Sequence, residues 1–324
     1  MFLLGLSAAS YATVSYTNQF TVVAMKVRLL LNGKKAALET IRDAVYAIRQ
    51  QGTDLEIRVT WEGGDMARLV DEAIQQGCQR IIAGGGDGTV NEVASALMHH
   101  PIEQRPQVAI LPLGTANDFA TACEIDSEPL AALKLAVSGK AYAIDIIQAN
   151  EHYFVNMATG GFGAQVTATT PVQLKNFLGG GAYTLTGLVQ ALNFQPFPGN
   201  VIIEDQAYSS SILFGAVCNG RMAGGGQELA KHAYINDGLI DLVSLQAFPA
   251  HELSTVVAEL LDDNIESGQF VKRHKTTHAV WQSEQAMPIN LDGEPISTTE
   301  LSVSVKPGAI DMVLPPHCPM LLTS

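Results

Sequence analysis

A glycine-rich stretch carries the clearest chemical signal in the sequence. An apolar run ends at residue 83 and is followed by Gly84, Gly85, Gly86, Asp87, Gly88, Thr89, Val90, Asn91 and Glu92. Glycines let a ligand reach the main chain, and free N–H groups at the start of a following helix favour anionic oxygens. The stretch therefore predicts a phosphate-binding loop. The alternative is a tight strand-to-helix turn that binds no ligand.

Two well-known phosphate motifs do not describe this loop. A Walker A motif needs Gly-Lys-Ser/Thr, which is missing here. The dinucleotide-binding fingerprint needs an acidic residue well beyond the loop, whereas Asp87 lies within it. The sequence thus indicates phosphate binding of another type.

A second polar loop follows the next predicted strand and contains Gly114, Thr115, Asn117 and Asp118. An ordinary helix N-cap would also explain Asn117 and Asp118. The position of this loop favours a role in binding, because it is predicted at the same sheet edge as the glycine loop. Thr60 ends another predicted strand at that edge, so three loops are expected to line one crevice.

Strands and helices alternate through the first part of the chain. Strands are predicted at 27–31, 55–60, 80–83 and 108–111, and helices at 37–51, 66–76 and 90–99. This alternation predicts an α/β fold, with a parallel sheet covered by helices on both faces.

From about residue 143 the pattern changes to closely spaced strands, typical of an antiparallel β-sandwich or barrel. Helical insertions are predicted at 171–178, 182–192 and 250–262, and the last apolar run, 309–314, is expected to return to the first domain. The predicted strands are 143–148, 152–157, 201–204, 211–217, 239–245, 279–282, 288–291 and 301–305.

These patterns divide the chain into an α/β nucleotide-binding domain at 25–145, joined by 308–324, and a β-sandwich domain at 146–307. Residues 1–24 are interpreted as a non-native or disordered extension, because a strand begins directly after Met25. A chain starting at Met25 is then expected to keep its activity. A cleaved leader is the alternative, although the segment lacks the positive charge that opens a secretory signal.

Composition narrows the possible partners and the compartment. The net charge of −13 argues against a general nucleic-acid binder and against purely electrostatic binding to an anionic membrane. Membrane contact would then need apolar residues or a local basic patch. The four cysteines show neither metal spacing nor a disulfide framework, which fits a reducing cytoplasm.

Three turns in the second part are weak signals by themselves. They are the glycine cluster at 219–226, the Asn-Asp-Gly turn at Asp237 and the Leu-Asp-Gly-Glu-Pro segment ending in Glu294 and Pro295. Each is common in hairpins. Asp237 with nearby carbonyl groups would suit a hard cation, although the plain turn is favoured. Trp61 and Trp281 are expected in the core.

The motifs in combination resemble the diacylglycerol kinase catalytic domain and the bacterial YegS-type lipid kinases, from about residue 26 to residue 319. The resemblance is carried by the glycine loop, the Leu-Gly-Thr-Ala-Asn-Asp-Phe-Ala run and, in order, the Asn-Gly-Arg, Gly-Gly-Gly, Asn-Asp-Gly and Leu-Asp-Gly-Glu-Pro segments. Two departures are Gly33 after Asn32, where the family often has Asn-Pro, and Lys231-His232-Ala233, where it often has Pro-x-Ala.

This resemblance implies an ATP-dependent kinase with ATP in a cleft between the two domains. It places ATP near Asn32, Thr60, the glycine loop from Gly85 to Glu92 and the second loop with Gly114, Thr115, Asn117 and Asp118. It implies a Mg²⁺ or Ca²⁺ site at Tyr234, Asp237 and Leu239, and it makes Glu294 the proton acceptor. Asp87 would orient Mg-bound phosphate.

The expected reaction is direct phosphoryl transfer to a hydroxyl of a glycerolipid, of the phosphatidylglycerol or diacylglycerol type. The expected location is the cytoplasm, with transient contact at the inner membrane face; the oligomeric state stays open, a dimer included. The alternatives are a soluble-substrate kinase of the NAD-kinase type and a lipid-binding regulatory protein without catalysis. The Gly-Thr-Ala-Asn-Asp-Phe run opposes the first, and Asp87, Asp118 and Glu294 together oppose the second.

Overall fold

The computed structural model describes residues 25–161, 192, 194–262 and 268–322 of the 324-residue chain. The predicted N-terminal extension lies outside these residues, as do the predicted helix at 171–178 and nearly all of that at 182–192.

The first part of the chain forms a parallel sheet in the order β2-β1-β3-β4. Leu31 pairs with both Val59 and Gly84, so the carboxyl ends of three strands lie side by side. The elements are β1 (Val27–Leu31), α1 (Glu39–Gln50), β2 (Leu55–Val59), α2 (Asp65–Gln75), β3 (Arg80–Gly85), α3 (Asp87–Met98), β4 (Gln107–Pro112), α4 (Asp118–Ala122) and α5 (Pro129–Ser138), with 3₁₀ turns at Gly33–Lys35 and Ile102–Gln104.

Helices cover both faces of this sheet because successive strand side chains point to opposite faces. Leu29 belongs to a core cluster with residues of α1 and α5, whereas Leu30 belongs to another with residues of α2 and α3. The buried residues of α1, Ile41, Val45 and Ile48, are spaced to form one helical face.

The second part is antiparallel around two long strands, β9 and β14. The shorter strands β7 and β8 both lie between them: β8 pairs with the first half of β9 and of β14, and β7 with the second half of each. The elements are β5 (Ala141–Ala149), β6 (His152–Phe154), β7 (Met157–Gly161), β8 (Phe197–Ile203), β9 (Gln206–Cys218), β10 (Met222–Ala223), β11 (Gln227–Glu228), β12 (Ile240–Gln246), a 3₁₀ turn (Ala250–Glu252), α6 (Leu253–Leu261), β13 (Val271–Thr276), β14 (His278–Leu291) and β15 (Glu294–Val313).

Strand β15 physically joins the two parts. Its beginning pairs with β14, its middle and end pair with β5, and Met312 pairs in parallel with Val108 of β4. The last apolar run therefore lies in the α/β sheet. The turn that precedes Glu294 is thereby connected, through one 20-residue strand, to the strand beside the glycine loop.

Several predicted details are wrong in instructive ways. The runs at 279–282 and 288–291 are one strand, β14, whose register shifts between Gln282 and Met287. The run at 301–305 and all but the last residue of the run at 309–314 are part of β15. Helix α3 begins at Asp87 rather than at residue 90, and α5 and β13 were not predicted. Trp281 is buried as expected, but Trp61 is 94% exposed.

Across the part of the chain that the structure describes, no helix combines the length and apolar character needed to span a bilayer.

Candidate active site

Asn32 and Thr60 lie together where β1 and β2 end. The Asn32 N–H donates to the Gly84 carbonyl (2.9 Å), and the Gly33 N–H donates to the Thr60 hydroxyl (3.2 Å). A Cβ on Gly33 would lie 2.1 Å from the Thr60 carbonyl oxygen, so a side chain does not fit there. The departure from Asn-Pro at this position therefore has a local reason: β2 approaches the turn too closely.

The glycine loop and the second loop contact each other directly through the backbones of Gly86 and Gly114, which carry no side chains. A Cβ on Gly114 would lie 2.6 Å from the Gly86 Cα and 2.7 Å from the Asn117 Oδ1. Asn117, in the left-handed region at φ +52°, fixes this turn because its Oδ1 accepts from the Gly114 N–H (2.8 Å) and its amide donates to the Gly114 carbonyl (3.1 Å). The described contacts of Asn117 thus shape the loop.

The residues after Gly86 form the first turn of α3, and their side chains have different surroundings. Thr89 is buried against Gly85, where a Cβ would lie 2.1 Å from its Oγ1, and Val90 lies in the core. Asn91 is 5% exposed, and its Oδ1 has no hydrogen-bond partner among the described residues. A buried acceptor of this kind is costly unless a donor reaches it, which suits a ligand in the adjoining cleft.

Asp87 connects the glycine loop to the second loop. Its two carboxylate oxygens accept from the N–H groups of Asp118 (3.1 Å) and Phe119 (3.0 Å), the first residues of α4. A carboxylate at a helix start also interacts favourably with the helix dipole. Asp87 therefore has a structural role in addition to the phosphate-orienting role predicted for it.

Asp118 extends this connection into the second part of the chain. It is 6% exposed, and its Oδ1 accepts from the Gly226 N–H (2.6 Å) while its Oδ2 accepts from the Gly225 N–H (2.9 Å). The glycine cluster at 219–226, a weak signal in the sequence, is thus tied directly to the second loop. Asp87, α4, Asp118 and this cluster form one continuous chain of contacts.

The turn that carries Glu294 is held over the glycine loop by its neighbour Asp292. The carboxylate of Asp292 accepts from the N–H groups of Val155 (2.9 Å), Asn156 (2.8 Å) and Met157 (2.7 Å). A Cβ on Gly88 would lie 3.9 Å from the Asp292 carbonyl oxygen. Burial raises the pKa of Asp292 to about 6, although the three amides act in the opposite direction.

Two cavities meet beside this turn. One, of about 680 Å³, is lined by Gly86, Asp87, Gly88, Gly114, Thr115, Asp118 and Asp292. The other, of about 860 Å³, is lined by Asn32, Thr60 and Trp61. Asn91, Glu92 and Glu294 line both. Burial, with a smaller contribution from the charge of Glu294, raises the pKa of Glu92. The exposed Glu294 therefore stands at the junction of a two-part cleft.

Trp61 forms an uncovered wall of the larger cavity. Its backbone N–H donates to the Asp65 Oδ2 (2.7 Å), which fixes the loop. The hydrogen bond from Arg68 is the main cause that lowers the pKa of Asp65 to about 2, so the acceptor stays ionised. Trp61 is 94% exposed, so its ring is accessible to a ligand in the cavity.

The predicted metal residues Tyr234, Asp237 and Leu239 line neither cavity. At this turn the Lys275 ammonium contacts the Oδ2 of Asp237 (3.4 Å) and of Asp241 (2.9 Å). The Asp237 Oδ1 accepts from the Leu239 N–H (3.0 Å). A divalent ion bound between these carboxylates would have to displace the Lys275 ammonium. The metal site therefore stays a prediction, and Lys275 competes for the same carboxylates.

Known protein families match both parts of the chain. Residues 26–149 match the diacylglycerol kinase catalytic domain, and residues 157–314 match the YegS C-terminal NAD kinase beta sandwich-like domain. The chain belongs to this kinase family. The predicted fold class, an α/β nucleotide domain followed by a β-sandwich domain, is thereby confirmed.

Curated relatives match along nearly their whole length. A "Probable lipid kinase YegS-like" protein of Shewanella frigidimarina is 47% identical over 299 residues, 92% of this chain and 96% of the relative. Another protein of that name, from Chromohalobacter salexigens, is 44% identical over 89% of this chain and 92% of the relative. A crystal structure described as a putative diacylglycerol kinase from Bacillus anthracis has a TM-score of 0.76 at 23% identity, covering 90% and 98% of the two chains. The similarity to this crystal structure supports the overall fold described above.

The structure thus gathers most of the predicted site residues in one cleft. Several further residues line the cleft that were not among the predicted site residues, including Trp61, Asn156 and Asp292. Trp61 and Asp292 lie close in the sequence to Thr60 and Glu294. Sequence reasoning missed the role of Asp292 because the N–H groups that hold its carboxylate belong to residues 155–157, far away in the chain. Asn156 has no sequence signal, since only the fold places it at the cleft.

Proposed function

We propose that this lipid kinase transfers the γ-phosphoryl group of ATP directly to a hydroxyl group of a glycerolipid, with Glu294 as the proton acceptor. The observation that carries the proposal is the junction of the two cavities. There one exposed carboxylate, from the second domain, faces the glycine loop of the first, and Asp292 fixes the turn that holds it.

ATP is proposed to lie across both cavities. The phosphates are proposed to lie beside Gly86, Gly88 and Gly114, where no side chain covers the main chain. Helix α3 also begins there, and the N–H groups of its first turn lack intrahelical acceptors and can bind phosphate oxygens. The adenosine would then lie near Asn32, Thr60 and Trp61. The unpartnered Asn91 Oδ1, between the two cavities, supports this path because nucleotide hydroxyl groups are hydrogen-bond donors.

Glu294 is proposed to accept the proton of the lipid hydroxyl as that oxygen attacks the γ-phosphorus, while the bond from the γ-phosphorus to the bridging oxygen breaks and ADP leaves. Its exposure and its place on the cleft rim leave room for a substrate on the solvent side. Asp87 and Asp118 position the loops that hold the phosphates. Mg²⁺, bound with the nucleotide, would offset the charge that develops on the transferred group. Glu92 and Asp87 are the carboxylates beside the cradle that are suited to it.

The lipid acceptor implies that the enzyme works at a membrane surface, and we propose transient, peripheral contact at the inner face. The net charge of −13 makes the chain as a whole repel anionic headgroups. The contact would therefore depend on local residues. Exposed Trp61 and Val59, which line the larger cavity, provide apolar surface of this kind.

The proposal is tested by measuring ATP consumption with three acceptors: mixed micelles that contain diacylglycerol, mixed micelles that contain phosphatidylglycerol, and soluble NAD. We expect turnover with a micellar lipid in the presence of Mg²⁺, and none above background with NAD. Turnover with NAD alone would instead identify a soluble-substrate kinase. Binding of lipid without any ATP consumption would identify a regulatory protein.

A further inference from the structure

A lysine lies at the acidic turn of the second domain, and the strand register fixes it there. Strands β12 and β13 pair in antiparallel register from Ile240 with Thr276 to Leu245 with Val271, which sets Lys275 directly opposite Asp241. Directly opposed residues of opposite charge lie close enough to interact. The position of the Lys275 ammonium is therefore a consequence of the sheet.

The ammonium group has three acceptors, which equals its three N–H donors. They are the Asp241 Oδ2 at 2.9 Å, the His232 carbonyl oxygen at 3.2 Å and the Asp237 Oδ2 at 3.4 Å. The side chains of Asp237 and Asp241 are 9% and 16% exposed, whereas that of Lys275 is 38% exposed. Lysine thus neutralises two largely buried carboxylates from the solvent side.

Two carboxylate groups near the turn also accept hydrogen bonds from backbone N–H groups. The second oxygen of Asp237 accepts from the Leu239 N–H at 3.0 Å. Asp145, the nearest further carboxylate, accepts from the N–H groups of Gly238 (2.7 Å) and Gly308 (2.8 Å). Divalent ions need several oxygen ligands at about 2.0–2.6 Å. Among the described residues, no group of three or more His, Cys, Asp or Glu side chains is placed to hold a metal ion, and at this turn Lys275 contacts both Asp237 and Asp241.

We propose that Lys275 is a built-in counter-cation that takes the place of a divalent ion at Asp237 in this chain. The segment that departs from the family pattern, Lys231-His232-Ala233, supplies one of its acceptors, the His232 carbonyl. The second domain would then fold and keep its turn without Mg²⁺ or Ca²⁺, and the metal requirement of the enzyme would be confined to the nucleotide cleft.

The test uses the full chain without nucleotide, so that it does not depend on the proposed activity. Thermal unfolding of the wild type is measured with EDTA, with millimolar Ca²⁺ and with millimolar Mg²⁺, and the binding of each ion is followed by calorimetry. We expect the same midpoint in all three conditions and no binding that depends on Asp237.

Lys275→Met removes the ammonium and leaves Asp237 and Asp241 close together without a counter-charge. We expect a midpoint several degrees below that of the wild type, largely restored by Ca²⁺, together with one new calorimetric site that Asp237→Asn abolishes. Lys272→Met is the matched control: it removes a lysine from the same strand, where its Nζ donates to the Gly268 carbonyl, and it should give no response to Ca²⁺.

Two results would overturn the proposal. One is the binding of one Ca²⁺ or Mg²⁺ by the wild-type chain that is lost in Asp237→Asn. This result can be obtained even if Lys275→Met does not fold. The other is a folded Lys275→Met variant that is no less stable than Lys272→Met and gains no cation response.

Discussion

At the scale of single residues, the cleft depends on two kinds of position. At the first, neighbouring atoms leave no space for a side chain; at the second, the side chain is exposed to solvent in the cleft. Gly33, Gly86 and Gly114 belong to the first kind, because neighbouring backbone fills the space that a Cβ would need. Trp61 and Glu294 belong to the second, since both line the larger cavity and neither is buried. Each kind predicts a different response to substitution.

Gly114→Ala should weaken ATP binding strongly while the chain stays folded. The new methyl group would lie 2.6 Å from the Gly86 Cα, so the two loops must separate. A displacement of about 1 Å in a positioning group can cost about 100-fold in rate. Gly63→Ala, in the same cleft but with no heavy atom near its Cβ, is the control and should leave binding and turnover unchanged. Normal ATP affinity in Gly114→Ala, measured by calorimetry, would show that the loops tolerate separation.

Trp61 should report nucleotide binding through its fluorescence. The chain has two tryptophans, and Trp281 is only 6% exposed, so a ligand-induced change comes mainly from Trp61. We expect ATP to quench or shift the emission of the wild type and to leave that of Trp61→Phe unchanged. A response to lipid vesicles in the absence of a response to ATP would instead assign Trp61 to membrane contact.

At the scale of elements, two carboxylates hold the loops of the cleft in place. Asp87 accepts from the start of α4, and Asp118, the first residue of α4, accepts from the glycine cluster of the second domain. The short helix α4 is therefore a bridge between the two domains. Disturbing either end of the bridge should loosen the cleft without unfolding the core.

Asp118→Asn should loosen the cluster at 219–226 and lower turnover. An amide keeps one acceptor oxygen but presents N–H groups to one of the two glycine donors, and an unpaired buried donor costs about 1–3 kcal/mol. We expect faster hydrogen exchange at the Gly225 and Gly226 amides, measured by NMR or mass spectrometry. The exchange of strand β3 should not change. Unaltered exchange at both glycines would mean that the cluster is held by other contacts.

The elements also show how far the sequence alone leads. The alternating pattern predicted β1 to β4 and the helices α1 to α3 because each has its own buried face. The division of β14 and β15 into shorter runs was wrong, since exposed polar positions interrupt the apolar alternation although cross-strand pairing continues. The role of Asp292 was beyond sequence reasoning, because its three donors lie more than 130 positions away.

At the scale of the whole molecule, the cleft exists because one strand spans both domains. Strand β15 begins at Glu294 beside the glycine loop and ends in the α/β sheet, at Met312 opposite Val108. In the turn before β15, the carboxylate of Asp292 accepts a hydrogen bond from the N–H of Met157, the first residue of β7. The position of Glu294 relative to the glycine loop is thus set by backbone pairing together with one half-buried carboxylate, that of Asp292.

Asp292 should give the molecule a recognisable dependence of stability on pH. Its pKa of about 6 in the folded chain lies above the value of about 3.9 expected when unfolded, so folding favours the protonated form. The stabilisation from this group is complete below about pH 4 and is lost as the pH rises through 6, at most about 3 kcal/mol. Denaturant unfolding across this range should show a smaller decline in Asp292→Asn than in the wild type. Parallel curves would assign the titration to other groups.

The most direct test of the account is the turnover of Glu294→Gln with a micellar lipid acceptor. This change keeps the shape of the side chain and removes the proton acceptor, which typically costs about 10²–10⁴ in rate. We predict a fall of that size in kcat with unchanged ATP affinity, whereas Glu300→Gln, an exposed substitution on the same strand, keeps normal turnover. Near-normal turnover of Glu294→Gln across the pH range would contradict the central claim.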